Sequence, residues 1–224
     1  MKLESALCGL YAIADIDILF ERGVSLDDFA AGLKSAGVRT VQLRAKNAWP
    51  QQTLEAAAVL RAWLPARTAT LVMNDRADLA LLAGFDGVHV GQGDLAADDV
   101  RRVLEKGSER EGWEVEGAKK LVGLSTHTDQ QVAMAELSCA DYVAVGPVFA
   151  TGTKLNASPV VGLDGVRRAR ALTAKPLVAI GGISRANASS VIEAGADSVA
   201  VISGLFVPGE TVERVARDFL GFFR

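Results

Sequence analysis

The feature that most constrains this chain is an unbroken alternation of short β-branched or aliphatic runs with Ala- and Leu-rich amphipathic ones. Runs near 9–15, 40–46, 70–75, 87–91, 121–126, 142–149, 177–182 and 198–203 read as strands, and stretches at 26–36, 51–63, 77–83, 97–106, 129–137, 162–172, 187–194 and 211–222 read as helices. Strand and helix repeated in that order indicate a parallel sheet with crossover helices. Eight units in 224 residues leave about 28 residues per unit, the compact end of the (β/α)8 range. No Pro- or Ser-rich linker interrupts the pattern, so the expected architecture is α/β, a single-domain (β/α)8 TIM barrel over residues 1–224. An open doubly wound sheet would need a glycine-rich turn after the first strand, where Asp15, Ile16, Asp17 and Ile18 stand instead.

Composition narrows the chemistry such a barrel can carry. Two histidines, His89 and His127, exclude a three-histidine metal centre, and two cysteines, Cys8 and Cys139, exclude a disulfide framework or a four-cysteine zinc site. A net charge of −3 gives no support for a nucleic-acid surface. No apolar run has the ~18 residues of a membrane span, and the segment from Met1 to Cys8 carries Lys2 and Glu4 without an apolar signal core. The expectation is a cytoplasmic protein acting on small molecules, with self-association into a homo-oligomer left open. The charged stretch from Glu105 to Lys120 reads as a solvated loop at the end of the barrel opposite the chemistry.

Barrel chemistry sits at the C-terminal strand ends. In the second run, period-two alternation puts Val41, Leu43 and Ala45 on one face and Gln42, Arg44 and Lys46 on the other. The apolar face must meet the helices, so Gln42, Arg44 and Lys46 point inward. Two cations there need an anion: either a phosphorylated ligand or an internal carboxylate partner. The third run ends at Asn74 and Asp75, and the fourth leads to Asp94. Asp75 and Asp94 suit Mg²⁺, which typically takes one or two protein carboxylates and completes its shell with phosphate oxygens and water. Either could instead cap a helix.

The fifth run carries Ser125 and His127, two residues apart on one strand. Such neighbours seldom converge as nucleophile and base, so hydroxyl donation to a phosphate or a polar ring is the plainer use of Ser125. After the sixth run, Thr151, Gly152, Thr153 and Lys154 bring backbone amides, hydroxyls and an ammonium together, either for an anion or as a polar loop. Glycines are 22 of 224 residues, and several lie beyond strand ends. Gly181 and Gly182 after the seventh run, with Ile202, Ser203 and Gly204 after the eighth, match the usual place of a barrel phosphate site, although glycines also serve tight turns. Two phosphorylated substrates are implied, one per site.

Seven segments, taken in order, resemble the motifs of the thiamine-phosphate synthase family. They are Gln42–Lys46, Asn74–Arg76, Asp86–Asp94, Ser125–Thr128, Gly146–Pro147 through Thr151–Lys154, Ile180–Gly182 and Val201–Ser203. The resemblance implies a transferase that joins 4-amino-2-methyl-5-(diphosphomethyl)pyrimidine to 4-methyl-5-(2-phosphoethyl)thiazole, or its carboxylated form. The products would be thiamine phosphate and diphosphate. By motif, Gln42, Arg44, Lys46, Asn74, Ser125 and Lys154 would hold the pyrimidine diphosphate, and Asp75 and Asp94 would hold Mg²⁺. Thr151, Thr153, Gly182, Ile202 and Ser203 would hold the thiazole phosphate. Arg44, Lys46, Ser125 and Lys154 would act in catalysis, which the family performs by dissociation of diphosphate before the thiazole nitrogen attacks. Ala150 stands where the family usually has proline, and Ala14 where it usually has threonine. The alternatives are a thiazole tautomerase-like isomerase using His127 and a non-catalytic thiamine-phosphate-binding barrel. Release of diphosphate separates the first reading from both.

Overall fold

The computed structural model describes residues 7–110, 119–152 and 158–223. Eight parallel strands close into a barrel in sequence order: β1 (Gly9–Asp15), β2 (Thr40–Arg44), β3 (Thr70–Asn74), β4 (Gly87–Val90), β5 (Leu121–Thr126), β6 (Tyr142–Val145), β7 (Leu177–Ile180) and β8 (Ser198–Val201). Closure is made by β1 against β8, with Gly9 opposite Ser198 and Ala12 opposite Val201. The surrounding helices are α1 (Ile16–Glu21), α2 (Leu26–Ala36), α3 (Pro50–Trp63), α4 (Ala77–Leu82), α5 (Ala97–Arg110), α6 (Asp129–Leu137), α7 (Gly162–Leu172), α8 (Ala188–Glu193) and α9 (Val212–Gly221). Ser25, Thr128 and Thr211 cap α2, α6 and α9, each accepting a backbone N–H of the first turn. Among the described residues no helix is long and apolar enough to cross a membrane.

Alternation along each strand divides the buried residues into two layers. Leu10, Ala12, Val41, Leu43, Leu71, Met73, Val143, Val145, Val199 and Val201 face the helices. Tyr11, Ile13, Val72, Tyr142, Ala144, Val178 and Ala200 fill the barrel interior. Both cores exclude water, and each fully buried branched aliphatic contributes about 1.5–3 kcal/mol. Six strands end earlier than the runs suggest: β3 at Asn74 and β4 at Val90, each by one residue, and β2 at Arg44, β6 at Val145, β7 at Ile180 and β8 at Val201 by two or more. The residues beyond leave the ladder to build the mouth, and Gly181 and Gly182 do so with φ of 100° and 65°.

The opposite end is held by a device used three times. Asp86, Asp141 and Asp197 stand immediately before β4, β6 and β8. Through Oδ2 each accepts the backbone N–H of the preceding strand: Leu71 at 2.7 Å, Val122 at 2.8 Å and Leu177 at 2.8 Å. The same carboxylates pair with Arg61 of α3, Arg101 of α5 and Arg170 of α7. Each clip therefore ties a helix to two strands at once.

The charged stretch departs from the loop reading. Helix α5 continues through Arg110, and residues 111–118 lie outside those described. Gly107 marks close packing, because a Cβ there would sit 2.4 Å from Leu81 Cδ1.

Candidate active site

The C-terminal strand ends form two adjoining cavities with a common wall. The first is lined by Gln42, Arg44, Lys46, Asn74, Asp75 and Asp94, the second by Thr151, Gly181, Gly182, Ile202, Ser203 and Gly204. Ser125, His127, Ala144, Ile180, Ala200 and Ile202 line both. All the residues expected from the sequence at these two sites are thus at the mouth, except Thr153 and Lys154, which lie outside the described residues.

Arg44 at the end of β2 and Lys46 two residues beyond it both have carboxylate partners within the protein. Arg44 pairs with Asp15 at the end of β1, whose side chain is only 1% exposed. Lys46 Nζ lies 2.5 Å from Asp75 Oδ2 and is much wetter, at 44% exposure. The two pairs differ in consequence. Removing Arg44 would strand a buried carboxylate, a loss of about 3–5 kcal/mol, whereas the Lys46 pair is close to a surface pair worth about 0–1 kcal/mol. The internal-pair alternative is therefore realised, and Lys46 is the cation that an arriving anion can recruit cheaply.

Asp75 and Asp94 are neighbours, and neither is a helix cap. The N-cap of α4 is Arg76, with no side-chain cap bond, and Asp94 Oδ2 accepts the Gly91 N–H at 2.8 Å. Asp75 holds φ = 62°, a left-handed conformation uncommon outside glycine, with its N–H bonded to His89 O at 2.8 Å. Burial pushes the Asp75 carboxyl above its ordinary value, the Lys46 hydrogen bond opposes this, and Asp94 raises it again. Lys46 pairs with Asp75, and the neighbouring Asp94 places a second carboxylate beside that pair. Among the described residues no group of three or more His, Cys, Asp or Glu could hold a metal, so a cation here would rest on these two carboxylates and on oxygens from ligand or water.

Ser125 and His127 do not pair. His127 Nδ1 is 2.6 Å from Gly146 O, and Ser125 Oγ is 2.8 Å from His89 Nε2. Gln92 Nε2 also donates to Ser125 O at 2.7 Å. Behind Ser125, His89 Nδ1 lies 3.0 Å from Tyr142 Oη, which is 2.9 Å from Tyr11 Oη, and Gln42 Nε2 donates to Tyr11 Oη at 2.9 Å. Sequence reading missed Asp15, His89, Tyr11, Tyr142 and Gln92. Strand parity could have found most of them, because Asp15 and Tyr11 alternate with Ala12 and Ala14, and His89 with Val88 and Val90.

The glycine loops of the second cavity are dictated by close approach. A Cβ on Gly181 would meet Pro147 Cβ at 2.5 Å, and one on Gly182 would meet Ala150 O at 2.6 Å. Asn187 holds the same turn, donating to Gly182 O at 3.1 Å and accepting the Ser184 N–H at 2.8 Å.

Comparison with known proteins adds a family. A family model described as thiamine monophosphate synthase matches residues 10–205. A thiamine-phosphate synthase from Koribacter versatilis is 48% identical over 200 residues, covering 88% of this chain and 89% of the relative. One from Moorella thermoacetica is 38% identical over 178 residues, covering 80% and 79%. A solved thiamine phosphate pyrophosphorylase from Pyrococcus furiosus superimposes with a TM-score of 0.80 at 27% identity, covering 99% of this chain and 98% of that one.

Proposed function

The chain belongs to the thiamine monophosphate synthase family and is an enzyme, and from that premise we propose how its own residues carry out the transfer. The substrates are 4-amino-2-methyl-5-(diphosphomethyl)pyrimidine in the first cavity and the thiazole phosphate, with or without a carboxyl group, in the second. The observation that carries this reading is the pair of cavities meeting at one wall. A condensation needs two phosphorylated partners presented to each other, and this wall is where they would meet.

Lys46, Arg44 and Asn74 bind the diphosphate, and Lys154 joins them by its motif. Ser125 bonds the pyrimidine portion, and Thr151, Thr153, Gly182, Ile202 and Ser203 hold the thiazole phosphate. Cleavage is dissociative: the C–O bond to diphosphate breaks with its electron pair leaving on oxygen, and the pyrimidine methyl cation is captured by the thiazole nitrogen. No protein nucleophile is required. The protein's work is to stabilise charge growing on the leaving oxygens, an effect worth several kcal/mol in a preorganised site. Asp75 and Asp94 suit Mg²⁺, because two adjacent carboxylates are the oxygen donors that such a dication takes from a protein, and each raises the other's need for positive charge. When bound, Mg²⁺ would neutralise the diphosphate.

The test supplies both substrates and measures thiamine phosphate and diphosphate, with Mg²⁺, with EDTA, and after Mg²⁺ is restored. Equimolar products, lost in EDTA and recovered with Mg²⁺, are expected. Isomerised thiazole without diphosphate would overturn the transfer in favour of a tautomerase, and full activity in EDTA would overturn the role of Asp75 and Asp94.

A further inference from the structure

Four side chains of the barrel interior form a chain that ends on Ser125. Gln42 comes from β2, Tyr11 from β1, Tyr142 from β6 and His89 from β4, and the successive heavy-atom distances are 2.9, 2.9, 3.0 and, to Ser125 of β5, 2.8 Å. Both tyrosines are buried, at 1% and 0% exposure. Burial pushes both hydroxyls above the ordinary phenol value, so each keeps its single hydrogen.

That single hydrogen gives the chain a direction. Tyr11 Oη accepts from the Gln42 amide, and donating to Tyr142 Oη is the arrangement that keeps the buried Tyr11 hydrogen bonded within the chain. Tyr142 then donates to His89 Nδ1. A neutral imidazole that accepts at Nδ1 carries its proton on Nε2 and donates it to Ser125 Oγ. The Ser125 hydrogen is left for an acceptor in the cavities. Reversing any one bond reverses all of them, and Ser125 would then spend its hydrogen on His89.

We propose that Gln42, Tyr11, Tyr142 and His89 form a one-way hydrogen-bond chain that locks His89 as the Nε2–H tautomer and sets Ser125 as a hydrogen-bond donor toward substrate. Tyr11, Tyr142 and His89 are positioning residues, acting through Ser125. A separate observation supports the arrangement. Gly123 sits in the middle of β5, where glycine costs about 0.5–1 kcal/mol relative to alanine. A Cβ there would lie 2.0 Å from Tyr142 Cζ, 2.3 Å from its hydroxyl and 2.5 Å from His89 Nδ1. The bare position leaves room for Tyr142 to meet His89.

That Ser125 meets substrate rests on the reaction proposed above, whereas the tautomer does not. The chain has two histidines, so side-chain ¹⁵N NMR of the ligand-free protein reads both. His127 serves as an internal contrast, because Gly146 O can only accept and requires a proton on Nδ1. His89 is expected to carry its proton on Nε2. Tyr142→Phe should give mixed tautomers at His89 and lower kcat about tenfold, the loss of roughly one neutral hydrogen bond, with KM for the thiazole phosphate changed less. Combined with Ser125→Ala it should cost no more than Ser125→Ala alone. If Tyr142→Phe does not fold, Gln42→Glu, once ionised, can only accept and should move the His89 proton to Nδ1. A proton on Nδ1 in the wild-type protein, an unmoved proton in ionised Gln42→Glu, or multiplicative losses in the double variant would overturn the chain. An Nε2–H His89 in a protein that forms no thiamine phosphate would overturn the reaction and leave the chain standing.

Discussion

Asp141→Ala is the perturbation that most directly tests how the barrel's closed end is held. Asp141 accepts the Val122 N–H at 2.8 Å and Lys119 Nζ at 3.0 Å, and pairs with Arg101, the two side chains of that pair being 10% and 8% exposed. Arg101 has other acceptors, donating to Lys120 O at 2.5 Å and Cys139 O at 3.3 Å, but Asp141 supplies its charge partner. Truncation leaves a buried guanidinium without a counter-charge, about 3–5 kcal/mol, and a strand N–H without its acceptor, about 1–3 kcal/mol; the two overlap. A net loss of about 4 kcal/mol in a chain of this size lowers Tm by roughly 8–16 °C. The equivalent Asp197 and Arg170 are 45% and 29% exposed, so water replaces much of what Asp197→Ala removes, and its loss should be about 1–2 kcal/mol. Urea and thermal unfolding of both variants give the comparison, with KM of the folded fraction unchanged because the clips lie opposite the mouth. Arg101→Met added to Asp141→Ala should recover stability by removing the stranded charge. Equal losses for Asp141 and Asp197, or no recovery in the double variant, would refute the burial argument.

Three further outcomes follow from the mouth. Asp75→Asn tolerates the left-handed backbone, since asparagine is enriched at positive φ, so it should stay within about 1 kcal/mol of wild type at neutral pH while losing Mn²⁺ affinity by titration. Because the Asp75 carboxyl is raised in the fold, its contribution to stability is fully present below the ordinary carboxylate pKa and lost as pH rises through the raised value. Denaturant midpoints from pH 3 to 7 should show this loss in wild type and not in Asp75→Asn, and dication binding should weaken as pH falls through the same window. Ser203→Ala should raise KM for the thiazole phosphate more than for the pyrimidine diphosphate in steady-state kinetics, and equal shifts would refute separate sites. Gly182→Ala combines φ of 65° with a 2.6 Å approach to Ala150 O and should lose about 1–3 kcal/mol in denaturant titration, together with thiazole phosphate affinity.

The barrel and the inventory of its mouth were legible in the linear pattern of residues. Eight alternations fix strand number and order because each amphipathic helix must cover the strands it connects. Parity sends Gln42, Arg44 and Ser125 inward because successive strand residues face opposite sides. Which inward groups meet depends on how the strands pair in space. Asp15 faces Arg44 because β1 and β2 are paired in the register that sets them opposite each other. His89 rather than His127 takes Ser125 because β4 and β5 are neighbours and Gly123 leaves the space between Tyr142 and His89 open. Helix α5 runs on to Arg110, and within that extension Gly107 lies close against Leu81 of another helix, a contact that no local signal announces. Periodicity is a property of one segment, whereas a hydrogen-bond partner depends on register and closure, and these exist only once the eight strands have joined.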